Sequence, residues 1–399
     1  MGTKKSLLML AAENLLLLAA AKRLYQWNRT VQIIPLGMFQ SRPEDELNKG
    51  IKPEDDALHH YSGRFYWEWW YFDASFNDGS RCVLELQTPN LVNMFADECA
   101  MLFNVYLPDG RAYNNIVPFP GSMWKASTEA CDVAIGENTI KGGYPEYHVS
   151  FKHENLACDL VFRNLLPGWT RGTGEVLFGD PEKKQVFGWV VAQPKASVTG
   201  TLTVDGEERK VSGTGYHDHN WGNGFLPAYV SHWVWGRLAT DRVNMIFADV
   251  CTSKKCGKYK IPVIFLAIDD RIVLESANAR FEVSEYRFDS QGFQMYPGRL
   301  EFNFSEREIS GSFRILFKEE LEMVNTLAEK IPGPLVKIMG KLLSAPAYYR
   351  FLADYEGTIK RGDEVLNLCG ETHWEYMVLG LKKGEIPQGW RNIPHVALV

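Results

Sequence analysis

The sequence carries no glycine-rich phosphate loop and no dinucleotide fingerprint, which excludes a doubly wound nucleotide-binding fold as the framework. It has no basic excess. Its 43 Lys and Arg stand against 49 Asp and Glu, for a net charge of −6. Such a balance leaves little to neutralise a phosphate backbone, and nucleic acid is excluded as the partner. Cysteines are few, odd in number at seven, and scattered, so no disulfide framework is expected and a reducing compartment is the simplest reading. Cys251 and Cys256 flank a Lys-rich turn, but no second pair completes a zinc site. No uninterrupted apolar run is long enough to span a bilayer. Ser6–Ala21 covers 16 residues and is broken by Glu13 and Asn14.

That N-terminal stretch is basic at Lys4 and Lys5, apolar, and basic again at Lys22 and Arg23. A helix lying on a membrane surface or packed on the domain behind it is the preferred reading, with peripheral membrane contact through residues 5–27. The small residues Ala19–Ala21 keep a cleaved signal peptide as the alternative. Location is accordingly expected to be cytoplasmic and membrane-associated, or exported if the segment is cleaved. A polar linker follows over 42–56.

What is abundant is aromatic: 12 Trp, 17 Tyr and 22 Phe, suited to β-strands and to a large apolar cavity. From His59 the pattern is β. Phe65–Ser75 is a dense aromatic strand, Asn77-Asp78-Gly79 a turn, and Val83, Glu85 and Gln87 alternate with Leu84 and Leu86. Tyr147–Phe151, Leu156–Phe162, Glu175–Phe178 and Phe187–Ala192 continue the series. Short strands with turns at roughly 8–12 residue spacing predict a barrel or sandwich. Trp233, Trp235, a turn at Thr240-Asp241 and a strand at Val243–Val250 echo the arrangement at 66–87, which suggests a second unit starting near Leu226–Val230. Within it, Leu321, Val324, Leu327 and Ile331 recur at helical spacing, so a helical insertion is expected over Glu319–Tyr355. That insertion is either a packed pair or a lid.

The chemistry concentrates in Gly213–Gly224, GTGYHDHNWGNG. Upstream, Thr201–Val204 and Lys210–Ser212 predict a hairpin turning at Asp205-Gly206. Period-two alternation then places His217, His219 and Trp221 on one face and Asp218 and Asn220 on the other. Three readings stay open: a structural hydrogen-bond network, a metal site, or a catalytic wall with an imidazole and an indole facing an apolar ligand. A cupin-like metal site would want a Glu shortly downstream, where Asn223, Gly224 and Phe225 stand instead. No metal and no cofactor is expected. Glu68, among Trp67, Trp69, Trp70 and Tyr71, is either salt-bridged or an acid. Asp249 shares a face with Val243, Met245 and Phe247. Either it pairs with a base such as Arg237, or it sits in an apolar pocket with a raised pKa.

The pattern GxGYxDHxWG, with Glu68–Ala74 (EWWYFDA) and Phe187–Leu202 (FGWVVAQPKASVTGTL), resembles the carotenoid 1,2-hydratase (hydroxyneurosporene synthase) and AttH-like family. The resemblance implies an all-β chain of two consecutive lipocalin-like β-barrels. Together with the readings above it divides the chain into an N-terminal helix and linker (1–56), a first barrel (57–228) and a second barrel (229–399) with a helical insertion over 319–355. It also implies cofactor-free hydration or cyclisation of a hydrophobic polyene or isoprenoid bound where the barrels meet. Asp249 would protonate a C=C bond, His219 would position water, and Trp221 would stabilise the cation. Tyr216, His217, Phe247, Trp233, Trp235, Glu68 and Trp70 would line the substrate. The family's Tyr-x-Asp is Phe247-Ala248-Asp249 here. Two alternatives stand beside this reading: a Diels–Alderase-like pericyclase of secondary metabolism, and a carrier that binds a lipid or pigment without changing it.

Overall fold

The computed structural model describes residues 33–34, 42–59, 66–88, 97–178, 185–292, 294–325, 346–382 and 384–392. The expected N-terminal helix and its membrane contact lie outside these residues. Among the described residues no helix is long and apolar enough to cross a membrane.

The chain is all-β and forms two curled, lipocalin-like sheets. In the first, the central order is Glu98–Tyr106, Arg81–Thr88, Tyr66–Phe76, Glu207–Asn223, Val186–Val204, Leu156–Asn164, Glu146–His153, Asn138–Gly143 and Cys131–Ile135. Leu84, Met101 and Phe103 from one end share a core with Val133, Ile135 and Ile140 from the other, so the sheet wraps round on itself. The second runs Arg271–Ser276, Tyr259–Ile268, Val243–Thr252, Val230–Ala239, Glu364–Val378, Ala347–Arg361, Ile309–Asn325, Arg299–Glu306 and Ala279–Ser284. The chain passes between them through the short helix Leu226–Tyr229. The expected hairpin is present, with Asp205 and Gly206 both at positive φ (54° and 83°), as a two-residue turn between twisted strands requires.

The aromatic strand explains why its alternation is hidden. Glu68, Trp70, Phe72, Ala74 and Phe76 point into the first core, while Trp67, Trp69 and Tyr71 point the other way, into a third apolar cluster shared with the second sheet. Val243–Thr252 does the same: Met245 and Phe247 enter the second core, and Ile246 and Ala248 face the seam. Strands buried on both faces read as continuous apolar runs. Two sheets back to back, each with its own core, therefore leave one face of these strands at the seam.

Polar side chains tie the seam together. Arg237 pairs with Asp73 across it, and Arg350 reaches both Glu375 and the Tyr71 hydroxyl (2.6 Å). The option of an Arg237–Asp249 pair is thereby corrected. Arg237 stands opposite Ile246 in the register and faces the seam, whereas Asp249 faces the second core. Among the described residues, the seam carboxyls Asp218 and Glu85 have no ion-pair partner. Burial pushes Asp218 up to about 7, against hydrogen bonds from Trp189 Nε1 (2.9 Å) and Tyr216 OH (2.8 Å). Burial likewise pushes Glu85 up to about 8. A carboxyl raised on folding favours the folded state fully below its unfolded pKa, and that contribution drains as pH rises to the folded value. Chemical denaturation midpoints should therefore fall between about pH 4 and 8 and level off above, and Asp218→Asn with Glu85→Gln should flatten that slope. An unchanged slope in the double variant would refute the assignment.

One expectation is corrected outright. Glu319–Asn325 and Ala347–Tyr355, both read as parts of a helical insertion, are strand ends that pair with each other, Met323 opposite Tyr349 and Asn325 opposite Ala347. Register shifts at Phe317/Glu319 and Glu320/Glu322 reset the alternation there, and this produces the three-residue spacing of Leu321 and Val324 that resembles a helix. Pairing with a fixed neighbour overrides a weak local preference. Leu327, Ile331 and 326–345 generally lie outside the described residues.

Candidate functional site

The signature strand, Glu207–Asn223, lies between Tyr66–Phe76 and Val186–Val204. His217, His219 and Trp221 do share a face, and it points into the first barrel. His219 stacks on Trp70 (centroids 4.0 Å) and His217 on Phe72 (3.8 Å). Trp221 lies flat on His59 (3.6 Å) and donates Nε1 to Glu175 (2.9 Å). Gly188 allows this, since a Cβ there would come within 2.0 Å of the Trp221 ring.

Two buried carboxylates organise the histidines. Asp56, from the turn Pro53–Asp56, lies 3.0 Å from His217 Nε2 and 3.3 Å from His219 Nδ1. Glu68 lies 2.7 Å from His219 Nε2 and 3.0 Å from His59 Nδ1. Both nitrogens of His217 face acceptors, Asp56 and the Tyr71 carbonyl (each at 3.0 Å). Burial opposes charge on Asp56 and Glu68, yet the histidine contacts prevail and hold both carboxyls below their usual range. The same carboxylates overcome burial at His219 and raise its pKa.

Asp249 lies elsewhere. It points into the second barrel, is 4% exposed, and lines a cavity of about 430 Å³. His232, Cys251, Lys260, Phe281, Tyr286, Tyr376 and Trp390 line it as well. Burial pushes the Asp249 carboxyl up; Lys260 Nζ, 3.3 Å from Oδ2, opposes the shift without cancelling it. Oδ1 has no hydrogen-bond partner among the described residues. Burial, with help from Lys260 and Lys258, drives His232 down to about 3, so its imidazole is neutral at physiological pH. A carboxyl shifted up by burial and a neutral imidazole thus share one cavity wall, so that the carboxyl can give a proton and the imidazole can hold a water. A larger opening of about 700 Å³ in the same sheet is lined by Arg280, Glu282, Glu301, Arg314 and Glu356, and its charge suits an apolar ligand poorly.

The expected site is thus divided. His219, Trp221, His217, Glu68 and Trp70 belong to the interior of the first barrel, Asp249 and Phe247 to that of the second. Tyr216, Trp233 and Trp235 belong to the seam. The idea that His219 and Asp249 meet across the boundary is corrected, because their strands turn these side chains away from the seam into separate cores. Phe247 packs on Phe281 and Phe302 (6.4 and 4.8 Å) behind the cavity. Sequence reasoning passed over His232, although period two from the inward Val234 puts it on the Asp249 side. Lys260, Tyr286 and Trp390 gave no local signal, since they arrive from the next strand and two loops.

The Svf1 family model matches residues 95–375. The chain belongs to the Svf1 family. This Svf1-family chain also keeps its likeness to the carotenoid hydratase and AttH-like proteins. It is 36% identical over 205 residues to the quinolone epoxide rearrangement protein asqO of Emericella nidulans, covering 46% of this chain and 53% of that one. It is 33% identical over 119 residues to the hydroxyneurosporene dehydrogenase of Chlorobaculum tepidum, covering 28% and 30%. The matches span between 30% and 53% of these curated relatives' lengths. Among solved structures, kievitone hydratase from Nectria haematococca superposes with a TM-score of 0.58 at 14% identity, over 87% of this chain and 99% of that one. At that identity the likeness speaks for the fold.

Proposed function

We propose that this Svf1-family protein is a cofactor-free enzyme of secondary metabolism. It would act on a hydrophobic polyene or isoprenoid inside the second barrel, by protonation of a C=C bond. The observation that carries the reading is Asp249: a buried carboxyl with one free oxygen, in a cavity walled by Phe281, Tyr286, Tyr376 and Trp390. The O–H of Asp249 adds its proton to one alkene carbon, and the adjacent carbon becomes cationic. Aromatic faces stabilise that cation by about 0.5–2 kcal/mol each. Water held by neutral His232 then attacks, and the imidazole takes the proton released. Without water, His232 removes a proton from the neighbouring carbon and an isomer results. Lys260, 23% exposed at the cavity edge, pairs with the Asp249 carboxylate left behind until a solvent proton returns to it. Relatives named for hydroxyneurosporene and for kievitone hydration support an apolar substrate and hydration chemistry.

The test is to identify small molecules that co-purify with the full chain, then to incubate that compound class with the protein in deuterated water. One added water, or one solvent deuterium in the product, is the expected result. An isomer free of deuterium would replace this reading with the pericyclase. A ligand returned unchanged would leave a carrier.

A further inference from the structure

The first barrel holds a second cluster that this chemistry does not use. We propose that His59, Glu68 and His219 form a binding site for a divalent metal ion of the zinc class, with Asp56 orienting His219 from behind. One ligand atom from each of the three residues lies within 4.8 Å of the others. His59 Nδ1 and His219 Nε2 both aim at Glu68 Oε1, at 3.0 and 2.7 Å. Tetrahedral coordination with bonds of about 2.0–2.1 Å sets ligand atoms about 3.3 Å apart. The two nitrogens therefore need to move back from Oε1 by roughly 0.3 and 0.6 Å, and they already lie within 4.8 Å of one another.

Three independent features point the same way. Glu68 uses its oxygens unequally: Oε1 accepts from both imidazoles and from the His59 backbone N–H (3.0 Å), while fully buried Oε2 has no hydrogen-bond partner among the described residues. A buried polar atom left without a partner is uncommon and invites a missing one. Asp56 Oδ1 lies 3.3 Å from His219 Nδ1 without a hydrogen bond between them, and closing that contact would give the carboxylate–histidine–metal arrangement, in which the outer carboxylate fixes the tautomer that leaves Nε2 for the ion. Stacking on Trp70 and Trp221 also locks both imidazole planes before any ion arrives.

Two imidazoles and one carboxylate suit zinc, with a fourth position left for water or another ligand. The way in passes His59, whose side chain is 18% exposed, whereas Glu68 and His219 are enclosed. A neighbouring trio, Asp56, Cys131 and His217, also converges. All three are buried, and both His217 nitrogens already face acceptors, which gives that trio a supporting role. Entry of the ion would displace the protons shared between Glu68 and the two histidines, so binding releases protons and weakens as pH falls.

The full chain, free of any histidine tag and stripped by a chelator, would be titrated with Co2+. One equivalent should bind, give the intense visible bands of four-coordinate cobalt, and be displaced by Zn2+. His59→Ala removes a half-buried ligand at the rim, and the fold can be checked by circular dichroism. It should weaken binding at least about 100-fold, beyond the 10–100-fold typical of outer-sphere partners. X-ray absorption at the zinc edge of the wild-type protein needs no variant and should count two imidazoles. The proposal is overturned if stoichiometric Co2+ gives no such bands, if His59→Ala binds as the wild type does, or if the zinc edge shows sulfur ligation.

Discussion

Asp249→Asn is expected to lower turnover by about 10²–10⁴-fold, the range supplied by a positioned general acid, with the thermal midpoint nearly unchanged. The amide keeps the shape of the carboxyl and can still accept from Lys260, now at 3.3 Å, but has no acidic proton to deliver. Substrate affinity should hold, because the aromatic wall of Phe281, Tyr286, Tyr376 and Trp390 is untouched. The loss should therefore fall on kcat, with KM almost constant. Full turnover in the variant would remove Asp249 from the mechanism and favour catalysis by shape alone.

Asp56→Ala should destabilise the protein by about 3–5 kcal/mol, the cost of removing one partner from a buried ion pair. It leaves His217 and His219 without the carboxylate they share at 3.0 and 3.3 Å. Asp109→Ala, which removes only exposed contacts to the Arg111 guanidinium and backbone N–H, serves as the control and should leave the unfolding midpoint almost unchanged. Urea unfolding of both variants gives the comparison. An Asp56→Ala loss no larger than the control would mean that the buried network contributes little. The pH dependence has a defined sign. Asp56 and Glu68 are depressed, so their contribution is present above the ordinary carboxylate pKa and lost in acid. His219 is raised, so its contribution is present below about 6.5 and lost as pH climbs through the folded value. The network is thus most stabilising between about pH 4.5 and 6.5.

Much of this was legible in the sequence, and the remainder was hidden for identifiable reasons. Alternation alone placed His217, His219 and Trp221 on one face, because a strand's period is fixed by its pleat. The carboxylates that meet them were not legible. Glu68 comes from the adjacent strand, where it stands opposite Trp221, and Asp56 and His59 come from a short turn segment. A metal-ligating Glu sought shortly downstream on the signature strand meets Asn223 instead, and the register supplies Glu68 from the neighbouring strand. Asp249 was legible as a carboxyl among apolar neighbours. Its cation was misassigned because Lys260 lies one strand further on, while Arg237 faces the seam. Trp67, Trp69 and Tyr71 announced a buried strand, but not that their face would be covered by a second sheet.

Infrared difference spectroscopy of the carboxyl band, wild type minus Asp249→Asn, tests the acid directly. At neutral pH the difference should contain one protonated carboxyl stretch that disappears on alkaline titration and reappears on return. A difference spectrum showing only an ionised carboxylate at neutral pH, down to the ordinary aspartate range, would contradict the assignment of Asp249 as the proton donor.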